Sequence, residues 1–271
     1  MSGTLRRGIE PDAAPAFARA TRAMSEAFAA EAAAIDPGAS VASSIWPTAG
    51  ELVDHLGQIQ RWATQVVRTG EAADRREHVR PGASDRIAWY AEGAKALADV
   101  LEATDPARPC WTFAGEGPTA FWSRRMAHEA RKHLWDLRSA VAPVPRAPDQ
   151  GGPAMLADAI DELYAVFLTR TLRSTGLDPL PRALVLRSTD VPAAWTITPD
   201  WTVTRHPTAD APAIGEAAGE GPDAPTIVRA ALGDVLLFVW ERARPSSLPD
   251  RFRILGDPAT VTAYLSSPVH P

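Results

Sequence analysis

The stretch RRMAHEARKHLWD, residues 124–136, places His128, Glu129, His133 and Asp136 within fewer than four helical turns. Its reading decides what kind of helical protein this is: a zinc-protease helix, one arm of another metal site, or the polar side of an ordinary helix. A protease of the H-E-x-x-H type needs two histidines four apart, so that both rings share one face. Here His128 and His133 are five apart, about 140° around the axis, and Lys132 stands where the second histidine belongs. The protease reading fails on that spacing. Glu129 and His133, in contrast, are four apart, about 40° offset, and project side by side. A carboxylate and an imidazole on one face supply two members of a His2Glu site. The same pair is also what a solvated helix face commonly carries.

A third donor has to come from another segment. In ELVDHLGQIQRW (51–62), His55 lies beside the apolar positions Leu52, Leu56 and Ile59, where a side chain points between helices, as metal ligands in bundle cores do. Two imidazoles and one carboxylate leave a fourth position open, the pattern of catalytic rather than structural zinc. Asp136 either orients a ligand imidazole or is simply exposed, and His128 reads as a core histidine or one that supports a ligand. His78, His206 and His270 lie in loop-like or terminal contexts.

Around this stretch the chain reads as helices. PDAAPAFARATRAMSEAFAAEAAAID (11–36) is rich in strong helix formers, with Phe17, Met24 and Phe28 at near-helical spacing. Thr48 with Glu51 forms a capping-box signature, opening a second helix whose stripe is Leu52, Leu56, Ile59, Trp62, Ala63 and Val66. A third is expected from Ser84 to about Thr104, carrying Ile87, Tyr90, Ala94, Leu97 and Leu101. The fourth is expected from about Pro118 through Val141, and no convincing strand separates the four. That is a four-helix bundle. The Pro- and Gly-rich APVPRAPDQGGPA (142–154) marks a boundary, giving expected domains of 1–147 and 148–271. Beyond it, a helix MLADAIDELYAVFLTRTLRS precedes the strand-like RALVLRST, AAWTITP, WTVTRH and APTIVRAA, an apolar helix LGDVLLFVWERA, and finally FRILGD and PATVTAYLS. Strand runs with helices to one side predict a small α+β domain. The acidic APAIGEAAGEGPDAP (211–225) reads as an exposed loop.

Composition narrows the function classes. At 271 residues, 45% apolar and 23% charged, the chain has a globular composition. A net charge of −5 argues against nucleic acid or an anionic membrane as partner. Neither a membrane-spanning run nor a signal-peptide core is expected, so a cytoplasmic location is the default. Oligomeric state is not legible. Cys110 is the only cysteine, which rules out an intrachain disulfide and a thiolate metal cluster; it reads as a small core residue, so thiol chemistry would use a thiol from outside. Only Lys95 and Lys132 are lysines against 26 arginines, a high-GC coding bias.

The strings ELVDHLGQIQRW, WTFAGEGPTAFWSRRMAHEARKHLWD (111–136) and FRILGDPATVTAYL (252–265) resemble the mycothiol-dependent maleylpyruvate isomerase family over nearly the whole chain. The resemblance implies a DinB-like, metal- and thiol-binding four-helix bundle followed by a sterol-carrier-like α+β domain. It also implies metal ligands at His55, Glu129 and His133, holding Zn2+ or another divalent metal, and mycothiol, the actinobacterial thiol, as cofactor or cosubstrate. Trp122, Arg125 and Asp136 are then expected to support cofactor binding, with Arg124 and Arg125, flanked by Trp122, placed to contact the sugar portion of the thiol. Arg242, at the end of the apolar helix in FVWERARP, is expected to act in catalysis by holding a carboxylate on the substrate; its other reading is a cation favoured at a helix C-terminus. The chain departs from the family in SSIWPTAGEL (43–52), where members carry a C-P-G-W-T-like stretch, and in the acidic insertion around 215–224. Maleylpyruvate itself is therefore not carried over. The expected activity is thiol S-transfer to a small electrophile; cis–trans isomerisation, a non-catalytic zinc- and thiol-binding role and metal-dependent hydrolysis are the other readings.

Overall fold

The computed structural model describes residues 5, 9–43, 45–82, 85–149, 151–206, 221 and 224–270. The chain forms two compact units, one spanning Gly8–Gly151 and the other built on Gly152–Pro271. The first is helical and the second is built on a mixed sheet. No helix among the described residues is long and apolar enough to cross a membrane.

Four long helices make the first unit: α1 (Ala14–Ala32), α2 (Ala49–Thr69), α3 (Arg86–Ala103) and α4 (Ala120–Arg138). Helix α1 buries Phe17, Met24 and Phe28. The capping box opens α2 as its sequence predicts: the Thr48 hydroxyl accepts from the Glu51 N–H, and the Glu51 carboxylate accepts from the Thr48 N–H. Gly70, at a φ of 80°, closes the helix in the left-handed conformation that glycine adopts without strain. Leu52, Leu56, Ile59, Ala63 and Val66 of the expected stripe are buried. Trp62 is only half-buried, because its indole N–H reaches out to the Ala73 carbonyl at 2.9 Å. The expected start of α3 at Ser84 lies outside the described residues; Asp85 caps the helix by accepting from the Ala88 N–H.

Helix α4 is shorter than expected, and between α3 and α4 the chain makes a two-residue antiparallel ladder, β1 (Pro109–Cys110) with β2 (Gly117–Pro118), that the sequence does not predict. A ladder that short has no periodicity to read. Cys110 is buried there against the Val66 carbonyl, and burial raises its thiol pKa, as suits a core cysteine.

The division between the units falls at 151/152, inside the Pro- and Gly-rich segment 142–154 and four residues past the expected 147/148. The cause is that the Pro-rich segment is held on α4: the Trp135 indole donates to the Pro145 carbonyl at 2.8 Å and Arg131 Nε to the Pro148 carbonyl at 3.1 Å.

In the second unit, α5 (Gly152–Glu162), a π-helical stretch (Leu163–Leu168) and α6 (Thr169–Ser174) run consecutively. The strands β3 (Leu184–Ser188), β4 (Ala194–Ile197), β5 (Val203–Arg205), β6 (Thr226–Ala230) and β7 (Arg253–Leu255) form one sheet in the order β5-β4-β3-β6-β7. Only the central β3–β6 pair is parallel. Helices α7 (Leu232–Val239) and α8 (Pro258–Ser266) complete the unit. Its core includes Leu184, Trp195, Ile227, Phe238 and Tyr264, with the Tyr164 and Tyr264 hydroxyls bonded at 2.8 Å. Most of the acidic segment 211–225 lies outside the described residues.

Helices α2 and α3 meet through a glycine. A Cβ added to Gly57 would stand 2.3 Å from Cζ3 of Trp89, whose ring also carries Arg61 at 4.8 Å over its centroid. Alanine at an open helical site gains about 1 kcal/mol over glycine, but overpacking costs about 1–3 kcal/mol, and a rigid indole cannot bend aside as a flexible chain end would. Gly57→Ala is therefore expected to lower stability by about 1 kcal/mol in urea denaturation; a stabilised variant would show that Trp89 yields freely.

Candidate metal centre

His55 stands almost two turns into α2, on the buried side fixed by the capping box and the apolar stripe. Glu129 and His133 stand one turn apart on α4. The packing of α2 against α4 brings all three together: Nε2 of His55 lies 3.4 Å, and Nε2 of His133 3.1 Å, from Oε1 of Glu129. One donor atom from each residue falls within 4.8 Å of the other two. Two donors each about 2.0–2.1 Å from a tetrahedral centre lie about 3.3 Å apart. The donor types suit a divalent cation of the zinc class, and the two distances to Glu129 match that spacing; the widest separation, up to 4.8 Å, would have to close on a bound ion.

Neighbouring side chains hold two of the three donors from behind. Asp136, with no exposed surface, has its Oδ2 3.0 Å from Nδ1 of His133, the arrangement that fixes a ligand tautomer and turns Nε2 inward. Arg125 donates to Oε2 of Glu129 at 2.6 Å, leaving Oε1 facing the histidines. On the other side of His55 the indole of Trp46 is stacked, with ring centroids 3.4 Å apart and an interplanar angle of 18°. The same indole meets His133 edge-on at 5.5 Å.

The electrostatics follow from burial among these partners. Burial lowers the His55 pKa below its ordinary value and outweighs the bond to Glu129. Burial also acts against protonation of His133, but the Glu129 charge and the bonds to Asp136 and Glu129 overcome it and raise its pKa. For Glu129, burial opposes ionisation, yet His133 and Arg125 hold the carboxyl well below the usual carboxylate range. The pair is therefore asymmetric: His55 offers a bare nitrogen lone pair, whereas His133 retains its proton more strongly.

Other sequence expectations are placed differently. Trp122 offers no surface to a cofactor. It is fully buried, its indole donates to the Trp111 carbonyl at 2.9 Å, and it packs among Trp62, Phe113 and Phe121. Its large apolar ring completes the core next to β1 and β2. Arg125 is engaged by Glu129. His128 lies outside the donor set, with Nδ1 2.9 Å from Arg131 Nη1 and its ring edge-on to Phe17. His206 and His270 do have partners, in Thr196 and in the carbonyls of Val239 and Tyr264. Arg242 belongs to the second unit and lies beyond α7 rather than in its last turn. The helix ends at Val239 because Glu241 takes a φ of 59° and the N–H groups of Arg242 and Ala243 both turn back to the Leu237 carbonyl. Its guanidinium donates to the Trp240 carbonyl at 3.0 Å.

Trp46 is the residue that sequence reasoning missed as a site component. It is visible in the sequence only as a departure before Pro47; nothing in its spacing ties it to His55.

A family model described as the mycothiol maleylpyruvate isomerase N-terminal domain matches residues 18–138, from the fifth residue of α1 to the end of α4. No curated protein matches the chain. Among solved structures, a mutant of a mycothiol-dependent maleylpyruvate isomerase is 15% identical with a TM-score of 0.56, covering 91% of this chain and 93% of that one. A second structure of such an enzyme is 18% identical with a TM-score of 0.46 over the same shares. The first likeness shows a shared fold over nearly the whole chain: a helical part followed by a mixed-sheet part. The part of the chain that is similar to the mycothiol maleylpyruvate isomerase N-terminal domain is thus its helical unit, which carries His55, Glu129 and His133.

Proposed function

We propose that the protein is an enzyme that activates mycothiol as a thiolate and directs it at a small electrophile. His55, Glu129 and His133 hold Zn2+ or another divalent metal in this reading. The observation that carries it is the convergence of these donors from α2 and α4, with Asp136 behind one imidazole and Arg125 behind the carboxylate. Mycothiol as the thiol comes from the name of the matched family.

A free thiol of pKa about 8.5 is only a few per cent ionised at neutral pH. A divalent ion in this donor set supplies the positive charge that deprotonates a thiol presented to it. The chain's own groups do the rest. Asp136 keeps the Nδ1 proton of His133 in place, so Nε2 is the nitrogen directed at the site. Arg125 neutralises the outer oxygen of Glu129 and holds the carboxylate in one orientation. Negative charge that develops on the electrophile needs a donor of its own. Arg242 is proposed as that anion anchor on the strength of its position in the sequence.

The thiol adduct has two fates. Kept, or formed with loss of a leaving group, it makes the enzyme an S-transferase. Formed reversibly on an activated double bond, with rotation and elimination, it makes the enzyme a cis–trans isomerase. The second reading is favoured by the names of the matched family and of the first solved structure, which shares the fold. Monochlorobimane and a cis-dienoate probe, each assayed with and without mycothiol, separate the two fates. Thiol-independent cleavage of ester or amide probes would instead indicate a hydrolase, and tight thiol binding without turnover a sensor.

Three outcomes are expected. His55→Ala and His133→Ala should each lose the metal, read by metal analysis of the purified protein, and with it the thiol-dependent turnover. Asp136→Ala should keep the site but weaken metal affinity about 10- to 100-fold. Full metal content and activity in either histidine variant would remove the ligand assignment.

Metal uptake should also weaken as pH falls. His133 must release its proton before Nε2 can coordinate, and its raised pKa means that this competition begins above the ordinary imidazole value of 6.5. Chelator competition between about pH 8 and about pH 6 measures it; affinity that is flat across that range would contradict the assignment.

Arg242→Ala should raise KM for an anionic electrophile and leave kcat nearly unchanged. An unchanged KM would remove Arg242 as the anion anchor.

A further inference from the structure

Among the three donors, His55 is held differently from the other two. His133 is fixed through Nδ1 by Asp136, and Glu129 through Oε2 by Arg125. Among the described residues, no hydrogen bond reaches Nδ1 of His55; its one polar contact is the 3.4 Å approach of Nε2 to Glu129. An imidazole bonded at one nitrogen can still swing about its side-chain torsions, and ligand rings are ordinarily locked by a partner on the far side.

The face of the ring supplies what its far nitrogen lacks. The ring centroids of Trp46 and His55 lie 3.4 Å apart with their planes at 18°, a face-to-face stacked pair. It also touches His133 edge-on, so one side chain spans both imidazoles. Trp46 is itself held. Its N–H donates to the Ser43 hydroxyl at 3.2 Å, and the Val41 N–H donates to the Pro47 carbonyl at 2.9 Å. An isolated bridge pairs Ser40 with Thr48, and the Ala42 N–H donates to the Ser139 hydroxyl at the end of α4. Two residues after Trp46, Thr48 begins the capping box of α2. The loop that carries the indole is thus tied to both helices that carry the ligands.

We propose that Trp46 is the positioning residue for His55, fixing the ring plane by stacking where Asp136 fixes His133 by a hydrogen bond. The proposal rests on the metal-site reading of His55, Glu129 and His133. It predicts that an aromatic face at position 46, rather than mere bulk, sets the metal affinity.

The test compares the parent protein with Trp46→Phe, Trp46→Leu and His133→Ala, using zinc and a competing chelator, with thermal unfolding confirming that each folds. Trp46→Phe should bind zinc within about threefold of the parent, and Trp46→Leu about 10- to 100-fold more weakly, the range for losing a group that orients a ligand. Independently of metal, the ring protons of His55 in NMR spectra should lie upfield under the indole ring current and return downfield in Trp46→Leu. Parent-like affinity in Trp46→Leu would overturn the proposal, as would equal losses in the Phe and Leu variants, which would make the indole a plug. If the parent binds zinc no better than His133→Ala, the metal reading fails and this proposal fails with it. An upfield shift seen in that case would attribute the failure to the ligand set rather than to the stacking.

Discussion

A carboxylate and two imidazoles inside a helical bundle have to satisfy one another, and that requirement organises the first unit. An ionised carboxylate left alone in such a place costs several kcal/mol. Glu129 escapes that cost because one of its oxygens faces two histidines and the other faces Arg125. His133 is in turn backed by the fully buried Asp136. Each group depends on the next, so the set also fixes how α2 and α4 sit along one another: a shift of either helix by one residue would leave Glu129 without His55. The close approach of α2 and α3 at Gly57 and Trp89 constrains the same helix from its other side.

How much of this is legible in the sequence depends on how local each determinant is. Helix α2 can be read from Thr48 and Glu51 because both capping bonds close within three residues. Glu129 and His133 can be paired because four residues are one helical turn, and His55 because the apolar residues around it mark the inward face. The strands of the second unit are legible from their short β-branched and aromatic runs. What escapes has no local signature. Trp46 reaches His55 through a loop whose course is set by bonds to α4, nearly a hundred residues away in sequence. Trp122 has the composition of a ligand-facing aromatic next to arginines, but the packing of β1 and β2 beside it makes it core. The π-helical turn at Leu163–Leu168 uses the same residue types as the α-helix around it. The early end of α7 turns on a left-handed glutamate, Glu241, where a glycine would have announced the stop.

Helix α4 does more than carry ligands. Its C-terminal half holds the Trp46 loop through Ser139, α1 through the Arg138–Glu31 ion pair, and the Pro-rich segment through Arg131 and Trp135. In the last of these the side chains on α4 grip main-chain carbonyls, at Pro145 and Pro148. Every amino acid brings the same carbonyl, so this tether is recognised by its course and not by its spelling. Its residues are free to drift through evolution while the grip persists, whereas adding or removing even one of them would carry the oxygens out of reach.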